Sequence, residues 1–345
     1  MNEVINALIN GERLKKEQYL YLLENRSEET DALLFEKARE RTLESYGDKI
    51  FLRGLVEITN VCKNDCLYCG IRASNSKCER YRLSLEEILD CVKMGSELGF
   101  KSFVFQGGED PYFDDDLLCK LVGHTKELCP DCAVTLSVGE RSRESYKALK
   151  DAGADRYLLR HETADALHYS RLHPERMALK SRMDCLGTLK ELGFQTGCGM
   201  MVQSPHQSLE NLAADLEFIS SFQPHMCGIG PFIPHKDTPF AKYPAGSVDL
   251  TVFLLALVRL SVPKVLLPAT TAVATLDPKG RTKAVLAGAN VVMPNLSPEG
   301  VKDKYSLYNN KLSRLGESAL GISKLREEFS AIDRRIAFER GDWKQ

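Results

Sequence analysis

Short apolar segments alternate with amphipathic segments along most of the chain, from about residue 52 onward. Apolar residues at every second position predict strands, and spacings of three and four residues predict helices with one buried face. We predict eight strands, over residues 54–59, 102–106, 133–138, 156–160, 195–202, 226–232, 264–269 and 290–294. Helices are predicted between them, over residues 85–98, 114–128, 182–192, 209–222 and 252–260.

Strands that alternate with helices form a parallel sheet with right-handed crossovers. Eight such units predict a (β/α)8 barrel of the TIM type, in which the functional site lies at the carboxyl ends of the strands. An open, doubly wound sheet is the alternative fold. Residues 1–50, where leucines recur among charged residues, predict a helical N-terminal extension. We expect the barrel over residues 51–300 and a C-terminal segment that closes it over residues 301–345.

The composition is that of a globular protein with a large core, since 43% of the 345 residues are hydrophobic and 27% are charged. The net charge of −2 provides no basic face for a phosphate backbone, so we expect no nucleic-acid partner. The longest strongly apolar run, Val252–Val258, is shorter than the ~20 residues that span a bilayer. The start of the chain has no basic region before an apolar stretch. We therefore expect a cytoplasmic protein that does not enter a membrane.

The spacing of three cysteines is the sharpest chemical signal in the sequence. The chain has eleven cysteines, which in a reducing compartment favour metal ligation or core packing over disulfides. Cys62, Cys66 and Cys69 lie within eight residues, directly after the first predicted strand. A structural zinc site would need four ligands, and Cys78 is the nearest candidate for a fourth. Three thiolates suit a [4Fe–4S] cluster that leaves one iron open to a small molecule, with zinc as the alternative.

A C-x3-C-x-aromatic-C loop after the first strand of a β/α barrel resembles the radical S-adenosylmethionine (SAM) superfamily. The resemblance implies that Cys62, Cys66 and Cys69 hold one [4Fe–4S] cluster, which binds SAM at its open iron. It also implies that an external electron donor reduces the cluster, and that SAM is cleaved to methionine and a 5′-deoxyadenosyl radical. The barrel would then orient SAM and exclude water from the radical chemistry.

Further residues match the elements by which the superfamily holds SAM. Glycines at a strand end allow close approach to a ligand, and Glu109 after Gly107 and Gly108 can accept hydrogen bonds from an ammonium group. The planar guanidinium of Arg182 suits the SAM carboxylate. The resemblance assigns SAM binding to these residues together with Tyr68, Gln106, Ser137 and Glu162.

Longer stretches resemble the HydE family of [FeFe]-hydrogenase maturases within this superfamily, namely residues 60–70, 106–112, 155–163, 228–235, 268–272 and 292–295. This resemblance implies a role in building the dithiomethylamine bridge of the hydrogenase cluster from a small organometallic iron–cysteine substrate. Its implied partners are a sister radical SAM maturase and a scaffold GTPase. The residues expected to line the substrate inside the barrel are Arg160, His161, Thr270, Thr271, Met293 and Tyr308. Of these, Arg160 and the two threonines could form an anion pocket, whereas Met293 is more typical of core packing.

Methylornithine synthase is the nearest alternative function, because its barrel and SAM elements are alike and only substrate-pocket residues differ. Biotin synthase-like sulfur chemistry is less favoured, because the last strand offers no arginine for a second cluster. A scaffold that only carries a cluster would have no use for the SAM elements. No cysteine follows Cys227, so a single cluster is expected. Cys129 and Cys132 have C-x2-C spacing but precede a strand, at the far end of the barrel, and are interpreted as incidental thiols.

Overall fold

Parallel strands form the centre of the molecule. The computed structural model describes residues 2–312 and 321–344, and all the strands in these ranges pair in parallel. They are β1 (Lys49–Leu52), β2 (Gly54–Thr59), β3 (Ser102–Gly107), β4 (Ala133–Ser137), β5 (Arg156–Leu158), β6 (Gln195–Val202), β7 (Met226–Pro231), β8 (Val291–Val292) and β9 (Arg335–Ala337). Strands β2 to β7 pair in chain order, and β1 lies between β8 and β9.

Helices cover the outer face of these strands. They are α1 (Asn2–Ile9), α2 (Lys16–Glu24), α3 (Glu28–Tyr46), α4 (Leu85–Glu97), α5 (Asp115–Leu128), α6 (Arg143–Asp151), α7 (Ala166–Leu172), α8 (Leu179–Glu191), α9 (Leu209–Phe222), α10 (Val248–Ser261), α11 (Thr271–Leu276), α12 (Gly280–Leu286), α13 (Glu299–Lys302) and α14 (Ile322–Ser330). Helix α10 is buried around most of its circumference, with α3 packed against it. Its largely apolar sequence suits this position. Among the described residues, none of these helices is long and apolar enough to span a membrane.

Backbone pairing closes the two sheets into a barrel. The amide of Leu55 in β2 donates to Pro294 O (2.9 Å), and the amide of Leu296 donates to Leu55 O (2.7 Å). Isolated bridges at Leu266 and Pro268 span the gap between β7 and β8. The predicted barrel fold is confirmed. The seventh predicted strand is wrong as a continuous strand, because Pro268 has no N–H to donate to a ladder.

Two short strands, β1 and β9, were not predicted from the sequence. Phe51 of β1 pairs with Val291 of β8 on one side and with Ala337 of β9 on the other. Strands of four and three residues are too short to show a clear period. They bring the C-terminal residues back to the amino-terminal end of the barrel.

One wall of the barrel interior is bare backbone. Side chains alternate along each strand, and Cys198, Met200 and Cys227 pack in the core beneath the helices. Gly228, which follows Cys227 in β7, therefore faces inward, and Gly199 beside it in β6 must be glycine because a Cβ there would lie 2.1 Å from Gly228 O. A Cβ at Gly228 would meet no atom closer than 4.0 Å. This wall leaves room for a ligand between itself and the polar strands opposite.

Candidate active site

The three thiols of the motif share one loop at the carboxyl end of β2. Cys62, Cys66 and Cys69 are all partly exposed, and burial raises the pKa of each thiol, to about 12 for Cys69. The charges of Cys69 and Cys62 raise the pKa of Cys66 further, so the three sulfurs lie within electrostatic reach of one another. Each thiol therefore keeps its proton until a positive metal centre displaces it.

This donor set fits an iron–sulfur cluster better than a single ion. Within residues 2–312 and 321–344, no three His, Cys, Asp or Glu side chains converge closely enough to hold one metal ion. A structural zinc would draw four ligands to about 2.0–2.3 Å from one centre. A cubane spreads its thiolates over separate irons and suits more widely spaced sulfurs. Three thiols on one loop fit the [4Fe–4S] interpretation, because a closed zinc site would need a fourth ligand.

Two side chains that were not predicted hold the cysteine loop in shape. The guanidinium of Arg80 donates to the carbonyls of Asn60 (2.6 Å) and Ile71 (2.8 Å). The side chain of Asn60 accepts from the Tyr81 amide (2.8 Å) and donates to Lys304 O (2.8 Å). The loop is thereby tied both to itself and to residues near the C-terminus.

The end of β3 approaches the cysteine loop too closely for a side chain. A Cβ at Gly108 would lie 2.3 Å from Val61 O and 2.7 Å from Cys62 Cβ. The following carbonyl, Glu109 O, accepts from the Lys63 amide (2.9 Å). Glycine is required at this position because any Cβ would push the strand end away from the loop. The contact sets the Glu109 carboxylate beside the cysteines.

Glu109 belongs to a chain of charges that leads to Arg182. Its Oε1 accepts from the Glu140 amide (3.0 Å) and lies 4.0 Å from Arg182 Nη2. Arg182 is buried, and it donates from Nε to Glu140 Oε1 (2.6 Å) and from Nη1 to Arg160 O (3.0 Å). The structure thus brings two of the predicted SAM residues together. It adds Glu140, whose only sequence signal is its position shortly after β4.

The segment after β5 carries an ion pair that lacks further hydrogen bonds. Arg160 Nη2 pairs with Glu162 Oε2 at 3.0 Å, and among the described residues neither atom has a further hydrogen-bond partner and Arg160 Nε has none. Glu162 has a left-handed backbone (φ 66°), which costs a non-glycine residue about 1–3 kcal/mol. Unsatisfied buried charges on a strained backbone are typical of a site that completes its hydrogen bonds with a ligand.

His161 does not line the barrel interior, contrary to the prediction. Its imidazole is fully buried against α9, with Nε2 3.4 Å from Asp215 Oδ1 and its ring centroid 4.8 Å from that of Phe218. The flanking Arg160 and Glu162 pair with each other, and Glu162 lies within electrostatic reach of Cys66 and Cys69. The residues before and after His161 face inward, so the imidazole faces the helices.

A histidine that was not predicted holds the aromatic residue of the cysteine motif. Tyr68 OH lies 3.3 Å from His173 Nε2, and His173 Nδ1 lies 3.0 Å from Tyr169 O. Because a carbonyl can only accept, Nδ1 carries the ring proton and Nε2 accepts from Tyr68. Burial lowers the pKa of His173 to about 4, so the imidazole is neutral at pH 7. The Tyr68 ring is thereby held in one orientation beside the cysteines.

The other predicted residues are spread along the barrel. Gln106 of β3 donates to the hydroxyl of Tyr305 (3.2 Å), and the Thr270 hydroxyl donates to Ile229 O (3.4 Å). Met293 packs against an apolar cluster, as its core interpretation implies. Their roles in binding stay predictions, as do those of the partly buried Ser137, Thr271 and Tyr308.

A buried carboxylate inside the barrel was missed. Glu57, in the middle of β2, accepts from Asn295 Nδ2 (2.9 Å) and from Lys311 Nζ. The same ammonium group lies 4.7 Å from the centre of the Tyr305 ring. Residues near the C-terminus therefore enter the mouth of the barrel. The overlooked signal was an acidic residue within an otherwise apolar strand.

Two grooves lead from the surface to this region. A groove of about 570 Å³ runs past Glu109 and Glu140 toward Arg141. A second groove, of about 350 Å³, shares Lys63, Glu109, Glu140 and Ser181 with the first. Their polar walls provide a path from solvent to the edge of the cysteine loop.

Two other cysteine pairs lie away from this region. Cys129 and Cys132 are buried in the turn before β4, at the amino-terminal end of the barrel. Cys198 and Cys227 are paired directly across β6 and β7 and pack beneath the helices. The burial of Cys129 and Cys132 away from the cysteine loop agrees with their interpretation as incidental thiols.

Comparisons with known proteins agree with this geometry. Residues 56–219 match the family model of the Radical SAM superfamily. The chain is 44% identical over 279 residues to the [FeFe] hydrogenase maturase subunit HydE of Thermotoga maritima, an alignment that covers 81% of this chain and 79% of that protein.

A second relative shares the barrel at lower sequence identity. The chain is 27% identical over 319 residues to the 3-methylornithine synthase of Methanosarcina acetivorans, covering 92% of this chain and 89% of that protein. A crystal structure of methylornithine synthase (PylB) superposes with a TM-score of 0.84 at 25% identity and covers 97% of both chains. The fold is shared with methylornithine synthase, and the higher sequence identity is to the maturase subunit.

Proposed function

Because the chain belongs to the HydE family of the radical SAM superfamily, we propose that it acts in [FeFe]-hydrogenase maturation on a small iron–cysteine substrate. It is a radical SAM enzyme that uses a [4Fe–4S] cluster and SAM, as its family does. The observation that carries the proposal is the approach of Gly108 to Cys62, which sets Glu109 within electrostatic reach of Cys62.

We assign the cofactors to the residues at the mouth of the barrel. Cys62, Cys66 and Cys69 hold the cluster. When bound, the reduced cluster and SAM supply one-electron cleavage of the sulfonium to methionine and a 5′-deoxyadenosyl radical. Glu109 accepts from the SAM ammonium group and Arg182 pairs with its carboxylate, while Tyr68 flanks the adenine and Gln106, Gly107, Ser137 and Glu162 complete the site. The position of Glu162 supports this assignment, because its Oε2, which pairs with Arg160 Nη2 (3.0 Å), keeps a second lone pair as an acceptor for a SAM hydroxyl.

We assign the substrate to the barrel interior, where its conversion contributes to the dithiomethylamine bridge. The Nε of Arg160, which has no hydrogen-bond partner among the described residues, offers a donor to a carboxylate or a cyanide group, and Thr270, Thr271, Met293 and Tyr308 complete the lining. The glycine wall of β6 and β7 provides space. An external donor reduces the cluster, and a sister radical SAM maturase and a scaffold GTPase are the partners. Residues 301–345 close the barrel, which the contact of Lys311 with Glu57 supports.

Anaerobic reconstitution tests the cofactor assignment. We expect about four irons per chain and a cluster EPR signal that changes when SAM is added. A protein that takes up zinc and shows no SAM-dependent change would contradict the assignment.

Complementation tests the biological role. The gene should restore hydrogenase activity to a strain that lacks its own HydE-type maturase. Failure to do so, with methylornithine formed from lysine by the purified enzyme, would favour the mutase function instead.

A further inference from the structure

The segment after β5 carries two of the proposed site residues on a strained backbone. Glu162 adopts a φ of 66° although it is not glycine, and its amide donates to Gly199 O (3.0 Å) in β6. Such a conformation persists only where the surrounding structure enforces it. Something near Glu162 must therefore hold its backbone in place.

A buried histidine–aspartate pair lies directly behind this segment. His161 and Asp215 are both fully inaccessible, with Nε2 and Oδ1 3.4 Å apart. The other ring nitrogen of His161 accepts from the Gly199 amide (3.2 Å), and Asp215 Oδ1 accepts from the Ala164 amide (2.5 Å). The pair thus contacts both the strand beside Glu162 and the backbone two residues after it.

Stability alone does not account for the pair. In the part of the chain that the structure describes, Asp215 Oδ2 has no hydrogen-bond partner, and His161 Nε2 has only the long 3.4 Å contact with Asp215 Oδ1. Burying polar groups that are not hydrogen-bonded costs free energy, and well-packed apolar residues at such positions are often neutral or stabilising. What apolar residues could not do is accept hydrogen bonds from the two amides.

We propose that His161 and Asp215 are positioning residues for SAM binding, because they hold the Gly199 and Ala164 amides and so direct the Glu162 carboxylate into the barrel. The inference rests on the proposed function, since it takes Glu162 to be a SAM ligand. It gives His161 a role behind the strand in place of the substrate contact expected from the sequence.

Variants of the cluster-loaded protein test this role. Asp215→Ala removes the acceptor for the Ala164 amide, whereas Asp215→Asn keeps a carbonyl oxygen for it. Ser220→Ala, on the same helix α9, removes another buried polar atom that has no hydrogen-bond partner, and serves as the control. Two quantities are measured: the SAM dissociation constant by calorimetry, and hydrogen–deuterium exchange over residues 161–164.

Asp215→Ala is expected to weaken SAM binding about tenfold and to speed exchange of the Ala164 amide, as loss of one buried hydrogen bond would. Asp215→Asn should stay within about threefold of the wild type, because the amide keeps its acceptor. Ser220→Ala should change neither quantity. If Asp215→Ala matches Ser220→Ala in both, or if the Asn variant loses as much as the Ala variant, the positioning role is overturned.

Two further variants distinguish failure of the positioning role from failure of the premise that Glu162 binds SAM. Should Asp215→Ala fail to fold, His161→Phe keeps the ring but removes the acceptor for Gly199, and wild-type SAM binding in it would overturn the inference. Glu162→Gln tests the premise. Wild-type SAM affinity in Glu162→Gln would remove Glu162 from the proposed SAM site and overturn the link to SAM, whereas the exchange data on Asp215→Ala would still decide whether the pair holds the backbone.

Discussion

Two arginines, one at the start of β5 and one just beyond its end, face the barrel interior at opposite ends and differ in their hydrogen bonds. Arg156, at the start of β5, is fully buried and donates to Ser102 Oγ (2.9 Å), Gln195 Oε1 (3.2 Å) and Asp342 Oδ1 (2.7 Å). Arg160, just beyond the end of β5, keeps Nε without a hydrogen-bond partner among the described residues. At the amino-terminal end of the barrel, here called the floor, the chain itself provides the hydrogen-bond partners of Arg156. At the carboxyl end, here called the mouth, Arg160 keeps donor groups for a ligand.

The C-terminal residues account for the difference. Asp342 accepts a hydrogen bond from Arg156 at the amino-terminal end of the barrel, and the amide of Trp343 donates to Gln195 Oε1 (3.1 Å). Arg53 is the exception at the floor. It contacts Met226 Sδ (3.0 Å), and burial and the charge of Arg156 lower its pKa well below the usual value. Asp342 pairs with Arg156 instead, and no carboxylate within residues 2–312 and 321–344 forms an ion pair with Arg53.

The largest expected effect separates a cysteine at the mouth from one at the floor. Cys66→Ala should lower 5′-deoxyadenosine formation at least about 100-fold, because the cluster loses one of its three ligands. Cys129→Ala should keep the activity, since that thiol only packs in the floor. Product analysis of the reconstituted proteins measures both. Equal activity in the two variants would remove Cys66 from the cluster.

The two arginines should differ in what their loss does. Arg156→Met is expected to lower the free energy of unfolding by about 3 kcal/mol, because Asp342 and the carbonyls of residues 340 and 341 lose a buried partner. Arg160→Met should lower it by less than about 1 kcal/mol, since its partly exposed ion pair contributes little.

Urea unfolding measures the stability of both variants, and single-turnover assays measure their activity. Arg160→Met should lose product formation despite its stability. If both variants have the same free energy of unfolding and both remain active, Arg156 is not specifically structural and Arg160 is not specifically functional.

Two tyrosines, one at each end of the barrel, are expected to affect different quantities: SAM affinity at the mouth and stability at the floor. Tyr68→Phe removes the hydrogen bond to His173, which is worth about 1 kcal/mol, so the SAM dissociation constant should rise about fivefold. Tyr46→Phe at the floor loses its bond to Lys264 O (2.5 Å) and should lower the unfolding midpoint without changing SAM affinity. Calorimetric titration with SAM distinguishes them. Unchanged affinity in Tyr68→Phe would contradict the assigned orientation of its ring.

The smallest expected effect is the pH dependence of the floor. Burial acts to raise the pKa of Asp342, but Arg340 and Arg156 together lower it below its usual value. Such a carboxyl stabilises the fold above its unfolded pKa of about 4, and this contribution is lost as the pH falls through the folded pKa. The unfolding midpoint should therefore fall more between pH 5 and pH 3 in the wild type than in Asp342→Asn. Identical pH profiles would show that Asp342 carries no such contribution.

Much of the framework could be predicted because it depends on local patterns. Strands β2 and β6 have the bounds that their apolar periodicity predicts. Strands β1 and β9 were missed because a few residues carry no period, and the segment at Pro268 was overestimated because its apolar residues only bridge. His161 was assigned to the interior from the resemblance to the HydE family, and the sequence does not show on which side of the backbone its side chain lies.

The sequence by itself determined the chemistry that is local: three thiols in eight residues, a Gly-Gly-Glu strand end and the alternation of strands with helices. Only the tertiary structure decided why Gly108 must be glycine, which arginine finds partners, and that Lys311 reaches Glu57 across 254 residues. The physical reason is that periodicity and spacing act over a few residues, whereas a buried charge is stabilised by whichever distant group the closed barrel brings to it.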